Sequence, residues 1–355
     1  MNSNNKNKKH TPRVPKICFK HAQAVAIDRY CHRLTEKGGP HAPGSAIRAE
    51  TYAHVIMEML SKNQIHTLDQ YAQGKLPALL FTGLKRDEQD IPPDTMPCIQ
   101  QLDEHPACIK LAARNQLLLS LVRHAAFAYD IDNDGKTTRL VGNFRGGGAT
   151  PLPLEPACEN VELSSHAGLS LGPHTEPPYY CSRAALENHS PAPCALILTA
   201  RWNPRNEPTR IIPMKPVIDR LPGCCVVELT SKSFQYTRSD YFIEGTGEPD
   251  GCIPILQHDS AGTFAIRYND YRFSTNDRSN PELQSALSLL RTNIHSAPKL
   301  EINIQPDNTL LINNTLTLHC RDTISDNRRL LIRLFGYSSY AQPIILNNDP
   351  LIVKG

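Results

Sequence analysis

The stretch LLINNTLTLHCRDTISDNRRLLIRLFGY, Leu310 to Tyr337, decides the fold. A β-like run ends at His319, a polar loop follows, and a second β-like run carries Arg329 and Arg333. Alternation along that second run predicts that both arginines share one face of an otherwise apolar strand. An arginine on such a strand is costly to bury without an anionic partner. The stretch therefore predicts either a structural salt bridge or a bound small dicarboxylate.

A second short element lies far upstream, in LGPHTEPPYY at positions 171–180. Glycine and proline on both sides predict a short strand with sharp ends. In a strand, His174 and Glu176 point to one face while Thr175 points to the other. A His-x-Glu pair is weak evidence by itself, but an imidazole beside a carboxylate supplies two of the three ligands of one known metal site. The third ligand must come from elsewhere in the chain.

The two elements together resemble a known family. His174-Thr175-Glu176, then His319, then Arg333 fourteen positions later, resemble the clavaminate synthase-like branch of the taurine dioxygenase superfamily. Members of that superfamily are Fe(II)- and 2-oxoglutarate-dependent oxygenases. The resemblance covers roughly position 139 to the end of the chain.

Two segments carry the resemblance in detail. SSHAGLSLGPHTE, at positions 164–176, resembles the approach to the metal motif in amino-acid hydroxylases of this group. LLINNTLTLHCRD resembles the family segment of strand, Asp-Asn turn, strand and His-Gly-Arg. Here Asn313-Asn314 replaces Asp-Asn and Cys320 replaces the glycine. Neither position is a metal ligand in the family, so the departures affect the match only slightly.

The resemblance implies a fold and a set of site residues. The implied fold is mainly β with flanking helices, built on a double-stranded β-helix (jelly-roll) core. His174, Glu176 and His319 would bind Fe(II), and this ligand set leaves positions for 2-oxoglutarate and O2. Arg333 would hold the distal carboxylate of 2-oxoglutarate in a bidentate pair. The remaining candidates are Thr199 as a cosubstrate contact and Arg329 as the second choice for binding the 2-oxoglutarate carboxylate. Asn143 and Ser164 are candidate substrate contacts, and a structural role is the alternative for both.

The implied reaction is hydroxylation of an unactivated aliphatic C–H, with release of succinate and CO2. A halogenase of this superfamily needs a small residue at the position of Glu176, so the carboxylate argues for hydroxylation, or for desaturation, epoxidation or cyclisation by the same oxidant. The implied substrate is an amino acid or an amino-acid-derived small molecule of specialised metabolism. Some relatives place a substrate-binding arginine four residues after the cosubstrate arginine, and here that position is Tyr337. A capped, cyclic or peptide-bound amino-acid derivative is therefore also a candidate substrate.

Two other classes of function stay open. The first is a non-catalytic jelly-roll protein that binds a ligand, with zinc or no metal at the site and Glu176 in a salt bridge. The second is a metallohydrolase, which needs a general base beside a metal-bound water. The sequence HTEPPYY supplies no such base.

Aspartates in DIDNDG, at positions 130–135, fit the first half of an EF-hand calcium loop. The twelfth position is Val141, where that loop requires a bidentate carboxylate. A polar turn is the better interpretation.

Periodicity predicts three helices and a series of short strands. Helices are expected over 45–62, over 111–129, and from Pro281 onward with an Asn280 cap. Short apolar runs between turn-rich gaps predict strands after position 139. These runs are 195–200, 224–229, 263–268, 310–312, 315–319 and 330–335.

Composition limits the remaining possibilities. The basic segment 1–16 lacks an apolar core, which predicts a disordered tail rather than a signal peptide. A net charge of +3 argues against nucleic-acid or membrane partners. The 11 cysteines contain no CxxC, which favours reduced thiols in a cytoplasmic protein. Without a convincing linker, residues 17–355 are expected to form one domain, with a helical buttress mostly in 17–138 and the jelly-roll core mostly in 139–355.

Overall fold

The computed structural model describes residues 13–143, 170–178, 184–185, 188–237, 249–258, 264–276 and 280–355. Within them the helices are α1 (His21–Thr35), α2 (Ser45–Glu58), α3 (Lys62–Ala72), α4 (Ile99–Asp103), α5 (Pro106–Leu121), α6 (Lys215–Ile218), α7 (Gly223–Thr230) and α8 (Pro281–Ser296). Of the basic segment 1–16, residues 1–12 lie outside the described residues, and Lys16 begins the first strand.

Eighteen strands are described in the same ranges. Those of the N-terminal half are β1 (Lys16–Cys18), β2 (Ala78–Thr82), β3 (His124–Tyr129) and β4 (Arg139–Val141). The others are β5 (Leu171–His174), β6 (Ala195–Trp202), β7 (Thr209–Pro213), β8 (Phe234–Thr237), β9 (Pro249–Ile253), β10 (Leu256–His258), β11 (Phe264–Ile266), β12 (Phe273–Thr275), β13 (Leu300–Ile302), β14 (Thr309–Asn313), β15 (Thr317–Arg321), β16 (Leu330–Ser338), β17 (Ile345–Asn348) and β18 (Leu351–Val353).

A nine-stranded sheet forms the larger layer. Its order is β1-β2-β14-β6-β16-β3-β18-β17, and β4 also pairs with β16. The N-terminal half contributes more than the predicted helices, because β1, β2, β3 and β4 all belong to this sheet. The expectation of a β-rich core with flanking helices is confirmed.

A four-stranded sheet, in the order β13-β7-β15-β5, forms the smaller layer. Alternating side chains of both sheets meet in a shared apolar cluster that includes Leu198 and Phe335 of the large sheet and Ile211 of the small one. The other face of the large sheet packs on α1, α2 and α5. The other face of the small sheet packs on α6, α7 and α8. This layering follows from strands whose two faces are both apolar.

Two helix predictions need correction at their ends. The helix predicted over 45–62 ends at Glu58, and α3 begins at Lys62 after a Ser61 cap whose Oγ accepts from Gln64 N. The helix predicted over 111–129 ends at Leu121. Arg123 turns the chain there with a φ of 58°. The sequence HAAFAY then forms β3, because it can pair with β16 on one side and β18 on the other.

The third helix is confirmed. Asn280 Oδ1 accepts from the backbone N–H groups of Glu282 and Leu283, and Pro281 occupies the first turn of α8.

The strand predicted over 224–229 is wrong. GCCVVELT forms α7, which packs on α8 over the small sheet, so tertiary contacts overrode its β-branched composition.

Nine cysteines lie in the described ranges, and all nine are free thiols. Among the described residues, none of the helices has the length and hydropathy that crossing a membrane requires.

Candidate metal and cosubstrate site

Two neighbouring strands of the small sheet bring His174 and His319 together. His174 is the last residue of β5, and in the antiparallel pair of β5 with β15 it lies opposite His319. Residues directly opposite each other in such a pair point to the same face. The two rings are 4.0 Å apart between centroids, and both side chains are buried. Gly172 and Pro173 lie inside β5 rather than before it.

Glu176 follows β5 and completes the cluster. Its Oε1 lies 3.3 Å from His319 Nε2. One ligand atom from each of His174, Glu176 and His319 falls within 4.8 Å of the other two. Three side chains that are up to 145 positions apart in the chain, from 174 to 319, therefore converge on one point between the two sheets.

The protonation states in this cluster suit metal binding. Burial, and then the neighbouring His319, lower the pKa of His174 to about 3, so its imidazole is neutral. His174 Nδ1 lies 2.8 Å from Gly172 O, which orients the ring and leaves Nε2 as a lone-pair donor. Burial alone would raise the pKa of Glu176, but the Arg333 guanidinium and the two imidazoles together lower it well below its usual value. Glu176 is therefore ionised.

Arg333 reaches the cluster from the facing sheet. It lies on β16 opposite Leu198 of β6, and its guanidinium stacks 4.1 Å over the ring of Phe335. Nη1 donates to Glu176 Oε2 at 3.2 Å. The sequence prediction that an arginine on this apolar strand faces an anionic partner is thus met by Glu176 in the protein itself.

Asp132 and Arg139 belong to the same network, and the sequence reasoning missed both. Asp132 Oδ1 accepts from Arg139 Nη1 at 2.6 Å, and Oδ2 accepts from Arg333 Nη2 at 3.3 Å. Arg139 lies on β4 directly opposite Arg333, so the two guanidinium groups share one face of the large sheet. The available signal was an arginine at the start of an apolar run just after the aspartate-rich turn DIDNDG.

Arg329 shares the interior face of the large sheet with Arg333, as alternation predicts, but its described contacts do not include Glu176. The residue precedes β16, and the pairing of β16 with β6 shifts register between Leu330 and Leu331. Its buried guanidinium donates from Nη2 to Thr209 Oγ1 of β7 at 3.0 Å. Burial lowers the pKa of Arg329 to about 10. The described contacts of Arg329 thus lie on the small sheet, away from Glu176.

Thr199 points to the wrong side of the large sheet for a cosubstrate contact. It lies opposite Ile332 of β16, whose side chain packs on the helices, whereas Arg333 points to the interior between the sheets. Thr199 Oγ1 donates to Asn115 Oδ1 of α5 at 2.5 Å and lies 2.6 Å from Thr309 Oγ1. The Thr199 hydroxyl therefore links the large sheet to α5 by a hydrogen bond.

We expect Thr199→Val to lower the free energy of unfolding by about 1–3 kcal/mol, because Asn115 loses a buried hydrogen-bond partner. Urea denaturation measures this loss. The affinity for 2-oxoglutarate, measured by calorimetry on the Mn(II)-loaded protein, should not change. A weakened cosubstrate affinity with unchanged stability would restore the role that the family resemblance implies.

The two substrate-contact candidates are not brought together by the described part of the structure. Asn143 is fully buried and donates from Nδ2 to Asn327 Oδ1 at 2.5 Å. Ser164 lies outside the described residues. Tyr337, on the interior face of β16, donates its hydroxyl to Pro191 O, and its Oη lies 3.3 Å from Tyr129 Oη.

Comparisons with known proteins bear on the fold. No family model matches the chain, and no curated protein matches it. Solved structures do match. Non-heme iron oxygenase OrfP in complex with Fe, succinate and (3S)-hydroxy-L-Arg is 18% identical, with a TM-score of 0.68, over 92% of this chain and 95% of that one.

The chain has the fold of these non-heme iron oxygenases. A second match is OrfP in complex with Fe and L-Arg, 17% identical with a TM-score of 0.67, over 92% of this chain and 95% of that one. A third is asparagine oxygenase in complex with Fe(II), 2S,3S-3-hydroxyasparagine and succinate, 16% identical with a TM-score of 0.66, over 90% and 92% of the two chains. The resemblance predicted from the His-x-Glu, histidine and arginine positions is confirmed at the level of the fold.

Proposed function

We propose that this protein is an Fe(II)/2-oxoglutarate-dependent oxygenase that hydroxylates an aliphatic C–H of an amino acid or an amino-acid-derived small molecule. The observation that carries the proposal is the convergence of His174, Glu176 and His319, whose ligand atoms lie within 4.8 Å of one another. Two imidazoles and one carboxylate are the ligand set of non-haem Fe(II) oxygenases. OrfP and asparagine oxygenase, which share the fold, were crystallised with iron, succinate and hydroxylated amino acids.

The residues present fit an iron ion. His174 has its Nδ1 at Gly172 O, so Nε2 is the atom available to a metal. His319 Nδ1 is buried and has no hydrogen-bond partner among the described residues, while its Nε2 faces Glu176. Both imidazole Nε2 atoms and an ionised carboxylate are thus aimed at one buried point. Hard and borderline divalent metals accept such a mixed nitrogen and oxygen set.

Each residue has a separate role in the proposed reaction. Iron with 2-oxoglutarate and O2 supplies the oxidant for C–H hydroxylation, with succinate and CO2 as co-products. His174, Glu176 and His319 hold the metal, and their burial keeps bulk water from the reacting groups. Arg333 binds the distal carboxylate of 2-oxoglutarate by a charge-assisted pair, since its planar fork matches a carboxylate. Asp132 holds the Nη2 side of that guanidinium and balances the charge of Arg139.

We propose that the two facing sheets form a double-stranded β-helix, and that residues 17–355 act as one oxygenase domain. The apolar cluster shared by the two sheets supports this assignment, and His174 and His319 lie on neighbouring strands of the smaller sheet. Desaturation, epoxidation or cyclisation would use the same residues.

Two features bear on the substrate. OrfP and asparagine oxygenase carry free amino acids or their hydroxylated products in their structures. In this chain the hydroxyl of Tyr337 is bonded to Tyr129 and Pro191 at the position where some relatives carry a substrate-binding arginine. Both free amino acids and capped, cyclic or peptide-bound derivatives therefore belong in a substrate screen.

The proposal is tested by succinate release. Protein loaded with Fe(II) under anaerobic conditions is mixed with 2-oxoglutarate, then with oxygenated buffer and each member of a panel of basic, polar and aliphatic amino acids and cyclic dipeptides. We expect at least one compound to raise succinate formation above the substrate-free rate and to gain 16 mass units, the mass of one oxygen atom. Absence of metal binding and of succinate with every compound would favour a non-catalytic ligand-binding protein.

A further inference from the structure

Asn314 is a fully buried side chain in the turn that joins β14 to β15. Its Oδ1 accepts from the backbone N–H of Glu176 at 2.9 Å. Its Nδ2 lies 3.4 Å from Glu176 O and donates to Pro193 O at 3.0 Å. One amide side chain therefore contacts both backbone polar groups of the proposed carboxylate ligand.

Glu176 needs such a partner because the sheet does not hold it. β5 ends at His174, and the next backbone bond runs from Thr175 N to Tyr268 O, on a different segment. The side chain of Asn314 substitutes for a neighbouring strand, since an amide both accepts from an N–H and donates to a C=O. Aspartate or serine at this position would not offer the same pair of groups.

The backbone of Asn314 is itself fixed on two sides. Its N–H donates to Cys194 O at 2.9 Å, and its carbonyl oxygen accepts from Nη1 of the buried Arg267 at 2.6 Å. Three residues further on, β15 begins, and this strand carries His319. Asn314 thus connects the segment that holds Glu176 to the strand that holds the second histidine.

We propose that Asn314 is a positioning residue that sets the place of the Glu176 carboxylate relative to His319, and so tunes the affinity for the metal. This inference rests on the proposed function, because it assigns the metal to these side chains. Residues that hydrogen-bond to a metal ligand and orient it typically contribute about 10- to 100-fold to metal affinity or activity.

The test is the dissociation constant for Mn(II) or Co(II), measured by calorimetry in the absence of cosubstrate. Asn314→Ala should weaken binding about 10- to 100-fold. The matched control is Asn313→Ala, at the end of β14 directly before Asn314. Asn313 Oδ1 accepts from Thr315 N and from Thr315 Oγ1, and no described contact of Asn313 reaches Glu176. Equal losses in the two variants would overturn the proposal, because they would indicate a general loosening of the turn.

A double-mutant cycle shows whether Asn314 acts through the carboxylate. In a Glu176→Ala background, Asn314→Ala should produce no further loss of metal affinity, because the group that it positions is gone. A loss as large as in the wild-type background would overturn the inference.

Amide hydrogen exchange in the wild-type protein gives a measurement that needs no variant to fold. The Glu176 amide should exchange slowly without metal, although it lies beyond the end of β5. If the Glu176 amide exchanged as fast as an amide in an exposed loop, the proposed hydrogen bond from Glu176 N to Asn314 Oδ1 would be refuted. If the wild-type protein binds no metal, the proposed function fails; if it binds metal through His174 and His319 but Asn314→Ala leaves the affinity unchanged, only this inference fails.

Discussion

His319→Ala should abolish the visible absorption band that anaerobic protein develops with Fe(II) and 2-oxoglutarate. Such a band requires an iron ion that holds the keto acid in the site. His319 would supply the ligand from β15, and its loss leaves one imidazole and one carboxylate, while Arg333 competes for Glu176. His174→Ala should have the same effect. We expect no band in either variant at metal concentrations that saturate the wild-type protein.

His124→Gln is the matched control for this experiment. His124 is also a buried histidine on a strand, and burial lowers its pKa to about 4. Its Nδ1 contacts Val122 O, and its ring lies against Tyr71, on the helix-packed side of the large sheet. The variant should lose stability and keep the band. A band that survives in His319→Ala, or a wild-type protein that binds zinc and forms no band with iron, would contradict the metal assignment.

His174, Glu176 and His319 could be named as candidate metal ligands because the family resemblance restricts residue types and spacing within two short segments. His174 and Glu176 are two positions apart, and His319 and Arg333 lie on two strands joined by one short loop. The cap at Asn280 was also predictable, since it depends on contacts within one turn.

The wrong predictions concern residues whose structure depends on contacts with distant parts of the chain. HAAFAY was predicted as helix because alanine and apolar residues suit both structures, and only pairing with β16 and β18 makes it a strand. The face of Thr199 depends on its register with β16, which the sequence does not reveal. Alternation correctly predicts that Arg329 shares a face with Arg333, but the partner of its guanidinium, Thr209, depends on how the small sheet lies over that face. The role of Asp132 requires β4 to lie beside β16.

Arg333→Ala should strongly raise the apparent KM for 2-oxoglutarate while the metal site is retained. The guanidinium is buried, donates to Glu176 and Asp132, and stacks on Phe335, so its position is fixed before the cosubstrate arrives. Removing one partner of a buried charge pair costs roughly 3–5 kcal/mol, which is about a hundredfold or more in affinity. The KM is measured from succinate formation at saturating Fe(II), and Mn(II) affinity is measured in parallel.

Two further variants separate charge from geometry in the Arg333 prediction. Arg333→Lys keeps the charge but loses the planar fork, so its KM should fall between those of the wild-type and alanine variants. Arg329→Gln is the control, because Arg329 is also a buried guanidinium, lies four positions earlier and donates to Thr209. It should lower the free energy of unfolding and leave the KM for 2-oxoglutarate unchanged. If instead Arg329→Gln raised that KM and Arg333→Ala did not, the cosubstrate carboxylate would lie at the Thr209 end of the interior, and Arg333 would serve only to neutralise Glu176.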